Sequence, residues 1–439
     1  MGTFISLFEI AAEVIFAPPM ETPPLQCNAD SFLNERIAGD DSGIGRRDFL
    51  RIAGISGLAC TLNPPCRHPE ALSDYYSGIK ADTAIKPNAD FIVGLDIGTS
   101  KVCVAVAERR PEGTIKIHGF GEAPSRGVRG WGISDVEAAN ECVRGALVDA
   151  EMQTDVMIRS VVLAVGGASI DVSYGCSSPE SPDSREELSY GVKGDGVLKR
   201  IRYCDQALDP EFEIVRGAGT GIMRSISFAR ELGIKVEGLL LAPVASAQAV
   251  LEFHEKKRGA LAIDMGAGKT SYSVFANGAL IHSGCLPLGG EDVTHDLSLA
   301  LHLPIERAEK LKIEKGSVAV GEALPGKIGF DGEEIERDVL NAVLRCRERE
   351  IFESVKRRLA ESGVQLDSLG SGVHLTGGCT TLRGLTELAE EVFGRPAQLA
   401  HVKKIPSLAG NPNNPRYSCA IGLVTLSKVT RSLIGPLIT

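Results

Sequence analysis

Two short stretches decide how this chain is read. Phe91-Ile92-Val93-Gly94-Leu95 is an apolar run of strand length that ends in Asp96-Ile97-Gly98-Thr99-Ser100-Lys101, after which Val102 to Val106 resumes a strand pattern. Much further along, Leu261-Ala262-Ile263 leads into Asp264-Met265-Gly266-Ala267-Gly268-Lys269, again followed by a strand, Tyr272 to Phe275. Both copies are strand, glycine-bearing turn, strand. In both, a glycine stands two residues after the aspartate and a lysine five residues after it. One such turn is common, but two in matched order imply a duplicated fold with one hairpin per half, the two facing each other across a cleft. A turn of this kind offers backbone N–H groups and hydroxyls to phosphate. A side-chain-free Gly98 or Gly266 lets the backbone come close, and Asp96 or Asp264 at the strand end can hold a hydrated magnesium ion.

Gly268-Lys269-Thr270 also matches the end of a P-loop. The first glycine of that motif would fall on Ile263, and a strand rather than a helix follows, so the helix N-terminus that a P-loop needs is missing. A third element, Gly372-Val373-His374-Leu375-Thr376-Gly377-Gly378-Cys379, reads as a short strand ending in a glycine pair, with a helix from about Leu382 to Phe393. Bare backbone at Gly377 and Gly378 would let a flat base or ribose pack against the chain.

Composition narrows the function classes. The chain has 439 residues, 43% hydrophobic and 24% charged, which is enough for two to four domains or subdomains. Its formal net charge of -10 argues against a sequence-independent grip on nucleic acid, which needs a basic face. The 11 cysteines form no CxxC pair; Cys103, Cys142, Cys285 and Cys419 sit among apolar neighbours as buried free thiols do, which fits a reducing compartment. No apolar stretch is long enough for a membrane-spanning helix. Residues 1–88 differ from the rest: they are rich in Pro, Ser and Asp without sustained periodicity, and are expected to be a disordered extension. Within them Gly45-Arg46-Arg47-Asp48-Phe49-Leu50-Arg51 has the look of a twin-arginine export signal, in an unusual position.

Taken together, the two hairpins and the Gly377-Gly378 element resemble the phosphate-1, phosphate-2 and adenosine motifs of the superfamily that contains actin, sugar kinases and the large chaperones. Within it the chain is most similar to the FtsA family of bacterial cell-division proteins. The matching stretches are Gly94 to Lys101, Ser160 to Ile170, Gly233 to Val250, Ala262 to Ser273, Gly372 to Leu385 and Arg416 to Leu423. The resemblance implies an α/β, actin-like (ribonuclease H-like) fold of two lobes, duplicated βαβ domains around a nucleotide cleft. It divides the chain into a first lobe of 89–170 and 221–257, completed by a C-terminal helix at 416–430, and a second lobe of 258–415. An outer helical subdomain is expected near 300–365, and 171–220, polar and irregular, takes the place of a shortened inserted subdomain.

The resemblance further implies ATP and magnesium as cofactors. The phosphates would lie against Asp96, Gly98, Thr99, Ser100 and Lys101 on one side and Asp264, Gly266, Ala267, Gly268 and Lys269 on the other, with Asp96 and Asp264 holding the metal through water. The adenosine would lie against Glu309, Lys312, Gly377 and Gly378. The family usually has a threonine at the position of Lys269, and a lysine there can itself neutralise phosphate charge. No Asp, Glu or Gln precedes Gln248 in the segment where efficient relatives orient the attacking water, so Gln248 is the one catalytic candidate and hydrolysis is expected to be slow.

As for partners, the resemblance implies the C-terminal tail of FtsZ, other copies of the chain in a filament, and the cytoplasmic face of the membrane at the division site. The helix read over Glu333 to Leu359 places Ile335, Val339, Val343, Ile351 and Val355 on a buried stripe. Arg345, Arg347, Arg349 and Glu350 lie largely outside that stripe, where they could face a carboxylate-rich tail. A scaffold of the PilM kind and a small-molecule kinase of the same fold remain alternatives. Near the end, Lys403, Lys404, Arg416, Lys428 and Arg431 stand without a single acid over 401–439. The favoured reading is that Cys419 to Ser427 is the core's last helix, with a frayed end broken by Gly435-Pro436. The alternative is that Leu423 to Thr439 is a minimal membrane anchor in place of the family's usual linker and amphipathic helix.

Overall fold

The structure is a computed structural model that describes residues 91–110, 114–129, 132–166, 170–174, 197–199, 213–217, 228–229, 231–320, 326–402 and 414–430. The extension 1–88, with its twin-arginine stretch, lies outside them.

Along the chain the strands of the first half are β1 (Phe91–Ile97), β2 (Lys101–Arg109), β3 (Ile115–Pro124), β4 (Val128–Arg129), β5 (Gly132–Ile133), β6 (Ser160–Val165), β7 (Ile170–Tyr174), β8 (Val197–Lys199), β9 (Glu213–Gly217) and β10 (Lys235–Leu241). Helix α1 (Val136–Thr154) lies between β5 and β6, and α2 (Ala242–Val250) and α3 (Phe253–Arg258) follow β10. The second half contributes β11 (Ala260–Met265), β12 (Thr270–Ala276), β13 (Ala279–Leu286), α4 (Gly290–Leu301), α5 (Ile305–Lys315), β14 (Lys327–Phe330), β15 (Glu333–Glu336), α6 (Arg337–Glu361), β16 (Val373–Thr376), α7 (Leu385–Phe393), β17 (Ala397–Leu399) and α8 (Ser418–Thr430).

The duplication is written in the sheet order. One sheet runs β10-β6-β1-β2-β3, and the other contains β17-β16-β11-β12-β13 in the corresponding order. In each, two consecutive antiparallel hairpins (β1-β2-β3 and β11-β12-β13) are flanked by two parallel strands (β6 and β10; β16 and β17). Strand β11 is buried almost throughout and β1 from Ile92 to Leu95, as strands covered on both faces are. This is the two-lobed actin-like architecture, with two apolar cores, the first built mainly on the first sheet and the second on the second.

Helices α2 and α8 belong to the first core, which also takes in Ala260, Ala262 and Phe275 from the second sheet. They can lie that close because α8 has no side chain at its contact: a Cβ on Gly422 would fall 1.8 Å from the carbonyl oxygen of Ala245 in α2.

Several sequence expectations shift. Strand β6 stops at Val165, and Ile170 opens a new strand, β7, that pairs with β13 of the second sheet. The segment read as irregular, 171–220, contributes β7, β9 and β8 to that sheet's edge. Non-local backbone pairing supplies an order that side-chain patterning did not announce. The long helix begins at Arg337, because Glu333–Glu336 pairs instead with β14. Its buried face runs through Leu340, Leu344, Glu348, Ile351, Val355 and Leu359, a helical spacing that turns Val339 to the exposed side. Helix α7 starts at Leu385, later than the expected 382, after Gly384 at φ 78°.

Helix α8 buries Cys419, Ala420, Ile421, Leu423 and Val424. The start of this helix is therefore core, as the first of the two readings of the C-terminal stretch expects; 431–439 lie outside the described residues. No described helix is long and apolar enough to cross a membrane. The six cysteines in the described residues are free, with Cys103, Cys142 and Cys419 buried.

Candidate functional site

The two hairpins close with the same hydrogen bond. The N–H of Gly98 donates to the carbonyl of Lys101 at 3.0 Å, and the N–H of Gly266 donates to that of Lys269 at 2.9 Å. Their tips come together from opposite lobes: a Cβ on Gly268 would lie 2.7 Å from the Thr99 hydroxyl oxygen and 2.8 Å from its methyl carbon. Around this meeting point Asp96, Thr99 and Lys269 line one small cavity, about 50 Å³, together with Arg129, Gly166 and Ala242.

Charge is concentrated there. Burial pushes the Asp264 carboxyl up to about 6; hydrogen bonding from Ser246 works against this, Asp96 adds to it, and Lys269 and Lys101 oppose it. Burial also works against the Lys269 ammonium, yet Cys285, Asp96, Cys419 and Asp264 together hold its pKa above the ordinary lysine value. The Asp96 carboxylate and the Thr99 hydroxyl, which line the small cavity, are hard oxygen donors that suit a hydrated magnesium ion, whereas Asp264 lines neither cavity and accepts from Ser246. Lys269 brings a fixed positive charge to the same place.

A second, larger cavity of about 580 Å³ opens beside the second hairpin, lined by Glu309, Lys312, Gly378, Asn341, Glu348 and Arg383 among others. It is joined to the hairpin through the start of α4, where the N–H of Gly290 donates to Gly266 O at 3.0 Å and that of Glu291 to Ala267 O at 2.7 Å. Lys312 donates to Gly290 O at 2.8 Å and to the Thr294 hydroxyl at 2.7 Å, and pairs with Glu309 at 2.6 Å. Glu309 and Lys312 thus share the face that their spacing requires.

Other expected residues sit elsewhere. The ammonium of Lys101 lies 3.8 Å from the centre of the Tyr417 ring and 3.6 Å from Glu122, outside the small cavity, and burial holds its pKa below the ordinary value. Ser100 is exposed, and its carbonyl accepts from Ser125 at 3.0 Å. Gly377, at φ 98°, backs the Asp264 carboxyl, where a Cβ would come 2.4 Å from Oδ1; of the glycine pair, it is Gly378 that lines the larger cavity.

Gln248 lines neither cavity, and its side-chain oxygen accepts from Lys256. It stands well inside α2, whereas Ser246, one half-turn earlier, reaches Asp264. The arginines of α6 are tied internally. Arg347 makes a two-pronged pair with Asp296 at 2.6 and 3.0 Å and a bond to Glu350 at 2.8 Å. Arg345 donates to Val318 O at 2.6 Å, and both Arg345 and Arg349 pair with Glu391. Sequence reading missed Ser246, Arg129, Gly166 and Glu348. The glycine of the SVVLAVGG stretch was a usable signal for Gly166, but nothing local marks the other three.

Comparison with known proteins bears on the family and the fold. Residues 261–422 match the family model described as Cell division protein FtsA. The chain is 31% identical over 369 residues to Cell division protein FtsA of Neisseria meningitidis serogroup B, an alignment covering 76% of this chain and 89% of that protein. The chain belongs to the FtsA family. Cell division protein FtsA of Escherichia coli K12 is 29% identical over 381 residues, covering 77% of this chain and 90% of the relative. Among solved structures, the PilM-PilN type IV pilus biogenesis complex superposes with a TM-score of 0.57 at 18% identity, covering 78% of this chain and 99% of the other, a likeness of fold. Family membership makes the chain a cell-division protein of actin-like architecture, and it sets FtsA above the PilM-like and kinase alternatives.

Proposed function

We propose that this protein binds ATP between its two hairpins and uses the bound state to control self-assembly, linking FtsZ polymers to the membrane surface. The observation that carries this reading is the meeting of two equivalent hairpins, Thr99 against Gly268, with Asp96 and Lys269 lining a small cavity at the contact, the buried Asp264 within electrostatic reach of both, and a larger cavity beside the second hairpin. The triphosphate lies where both turns present backbone, so the hairpins part to admit it. The nucleoside extends past Gly378 towards Glu309 and Lys312. Asp96 and Asp264 would hold magnesium through water, and the ion would supply neutralisation of phosphate charge. Lys269 supplies part of that neutralisation from the chain itself. With Gln248 engaged by Lys256, hydrolysis is slow, and the nucleotide acts mainly as a structural switch.

Membership of the FtsA family supports this reading of the partners. An acidic FtsZ tail reaching the arginines of α6 has to displace Glu391 from Arg345 and Arg349, or Asp296 and Glu350 from Arg347. Such an exchange keeps each guanidinium paired throughout. The membrane is met by the end of the chain beyond the buried part of α8, which carries Lys428 and Arg431 and no acid.

The test is ATP binding by the full-length protein and by Gly98→Val and Gly266→Val. Each variant puts bulk into a turn where phosphate must approach, and each is expected to lose at least tenfold in affinity. Unchanged affinity in both would place the nucleotide elsewhere. Co-pelleting with FtsZ polymers in the presence of ATP checks the adaptor role.

A further inference from the structure

Glu348 is an ionisable group at the larger cavity, away from the two hairpins. It projects from the inner face of α6, is 2% exposed, and lines the cavity. Its Oε2 atom is shut from solvent and has no hydrogen-bond partner among the described residues. The titratable groups that face it are Lys312 from α5 and Cys379 from the 378–381 turn. Neither can answer its need. The three N–H directions of Lys312 are spent on Gly290 O, Thr294 and Glu309, and the Cys379 thiol donates to Gly266 O at 3.3 Å. Burial pushes the Glu348 carboxyl up to about 7, with Lys312 pulling it down.

A buried acceptor left unmet is a standing cost to the fold, recovered when a ligand supplies a donor. We propose that Glu348 accepts a hydrogen bond from the nucleoside part of the bound nucleotide, from the exocyclic amine of the base or from a ribose hydroxyl, and so sets which nucleosides the cavity takes. This rests on the nucleotide reading of the cleft. A cavity built to receive such a donor rejects an analogue lacking it, because the acceptor then stays buried and unpaired. Accepting the bond also favours the ionised carboxylate, so nucleotide affinity rises with pH through 7.

The experiment is calorimetric binding of ATP, purine riboside triphosphate, 2′-deoxy-ATP and 3′-deoxy-ATP to the full-length protein, E348L and E348Q, at pH 6 and pH 8. The parent is expected to favour ATP at least tenfold over one analogue, and E348L to shrink that ratio to threefold or less. The purine riboside arm assigns the bond to the amine, and a deoxy arm to a ribose hydroxyl. E348Q keeps an acceptor oxygen, so it retains the preference but loses the pH dependence. Equal ratios in the parent and E348L, with both binding ATP, would overturn the assignment and leave the cleft reading standing. A parent that binds no ATP overturns both.

Discussion

Replacing Gly268 with alanine tests the contact on which the site depends. The added Cβ would sit 2.7 Å from Thr99 Oγ1, 2.8 Å from Cγ2 and 3.1 Å from Cβ. Relaxed carbon contacts need roughly 3.5–4.0 Å, so the two hairpins must part by on the order of 1 Å. Gly268 does not have a positive φ, so alanine adds no backbone strain and the effect is steric. Overpacking of this size costs about 1–3 kcal/mol. Thr99→Ala removes the two nearest atoms and leaves the 3.1 Å approach to Cβ, which small shifts absorb. In that background Gly268→Ala is expected to cost about 1 kcal/mol or less, giving a favourable coupling of about 1–2 kcal/mol across the lobes. Urea unfolding of the parent, both single variants and the double variant measures it, with equal slopes as the check that one transition is compared. The same cost for Gly268→Ala with and without the Thr99 side chain would show that the hairpins do not meet.

Three further outcomes follow from the same structure. Gly422→Ala forces α8 away from Ala245 of α2, where the new Cβ would stand 1.8 Å from the carbonyl oxygen, and is expected to cost about 3 kcal/mol or more by urea unfolding. Glu348 has its pKa raised from 4.5 to about 7, so the folded form holds the proton more tightly than the unfolded chain. The stability it contributes is complete below pH 4.5 and is lost as pH rises through 7; Glu348→Leu should remove that slope and raise ligand-free stability at pH 8 by up to about 3 kcal/mol, read from melts at pH 5 and pH 8. Lys269→Thr removes one of the two cationic side chains that line the small cavity, leaving Arg129, and chelating magnesium should then weaken ATP binding at least tenfold more than in the parent, as measured by calorimetry.

The hairpins, their pairing into a duplicated fold and the rejection of a P-loop were legible in the chain itself. A strand, a tight turn and a returning strand are set by neighbours in sequence, and the spacing of Asp96 to Lys101 and Asp264 to Lys269 marks both turns alike. Glu309 and Lys312 were legible for the same reason, being one helical turn apart. What escaped was whatever depends on partners distant in the chain. Glu333–Glu336 has helix-like composition but pairs as a strand because β14 lies beside it. Ile170–Tyr174 joins the second sheet because β13 presents a free edge to it. Arg347 and Arg349 look available in sequence, yet they are met by Asp296 and Glu391 from α4 and α7. Gln248 looks catalytic until Lys256 takes its oxygen, while Ser246 reaches Asp264. Glu348 sits in an acidic and basic run that reads as solvated surface, and only the rotation of α6 turns it inward. The sequence alone therefore determined the local turn chemistry, because hydrogen bonds within a hairpin need only adjacent residues. The tertiary structure decided which side chains face the cleft, because burial and ion pairing depend on groups that the chain brings together only by folding.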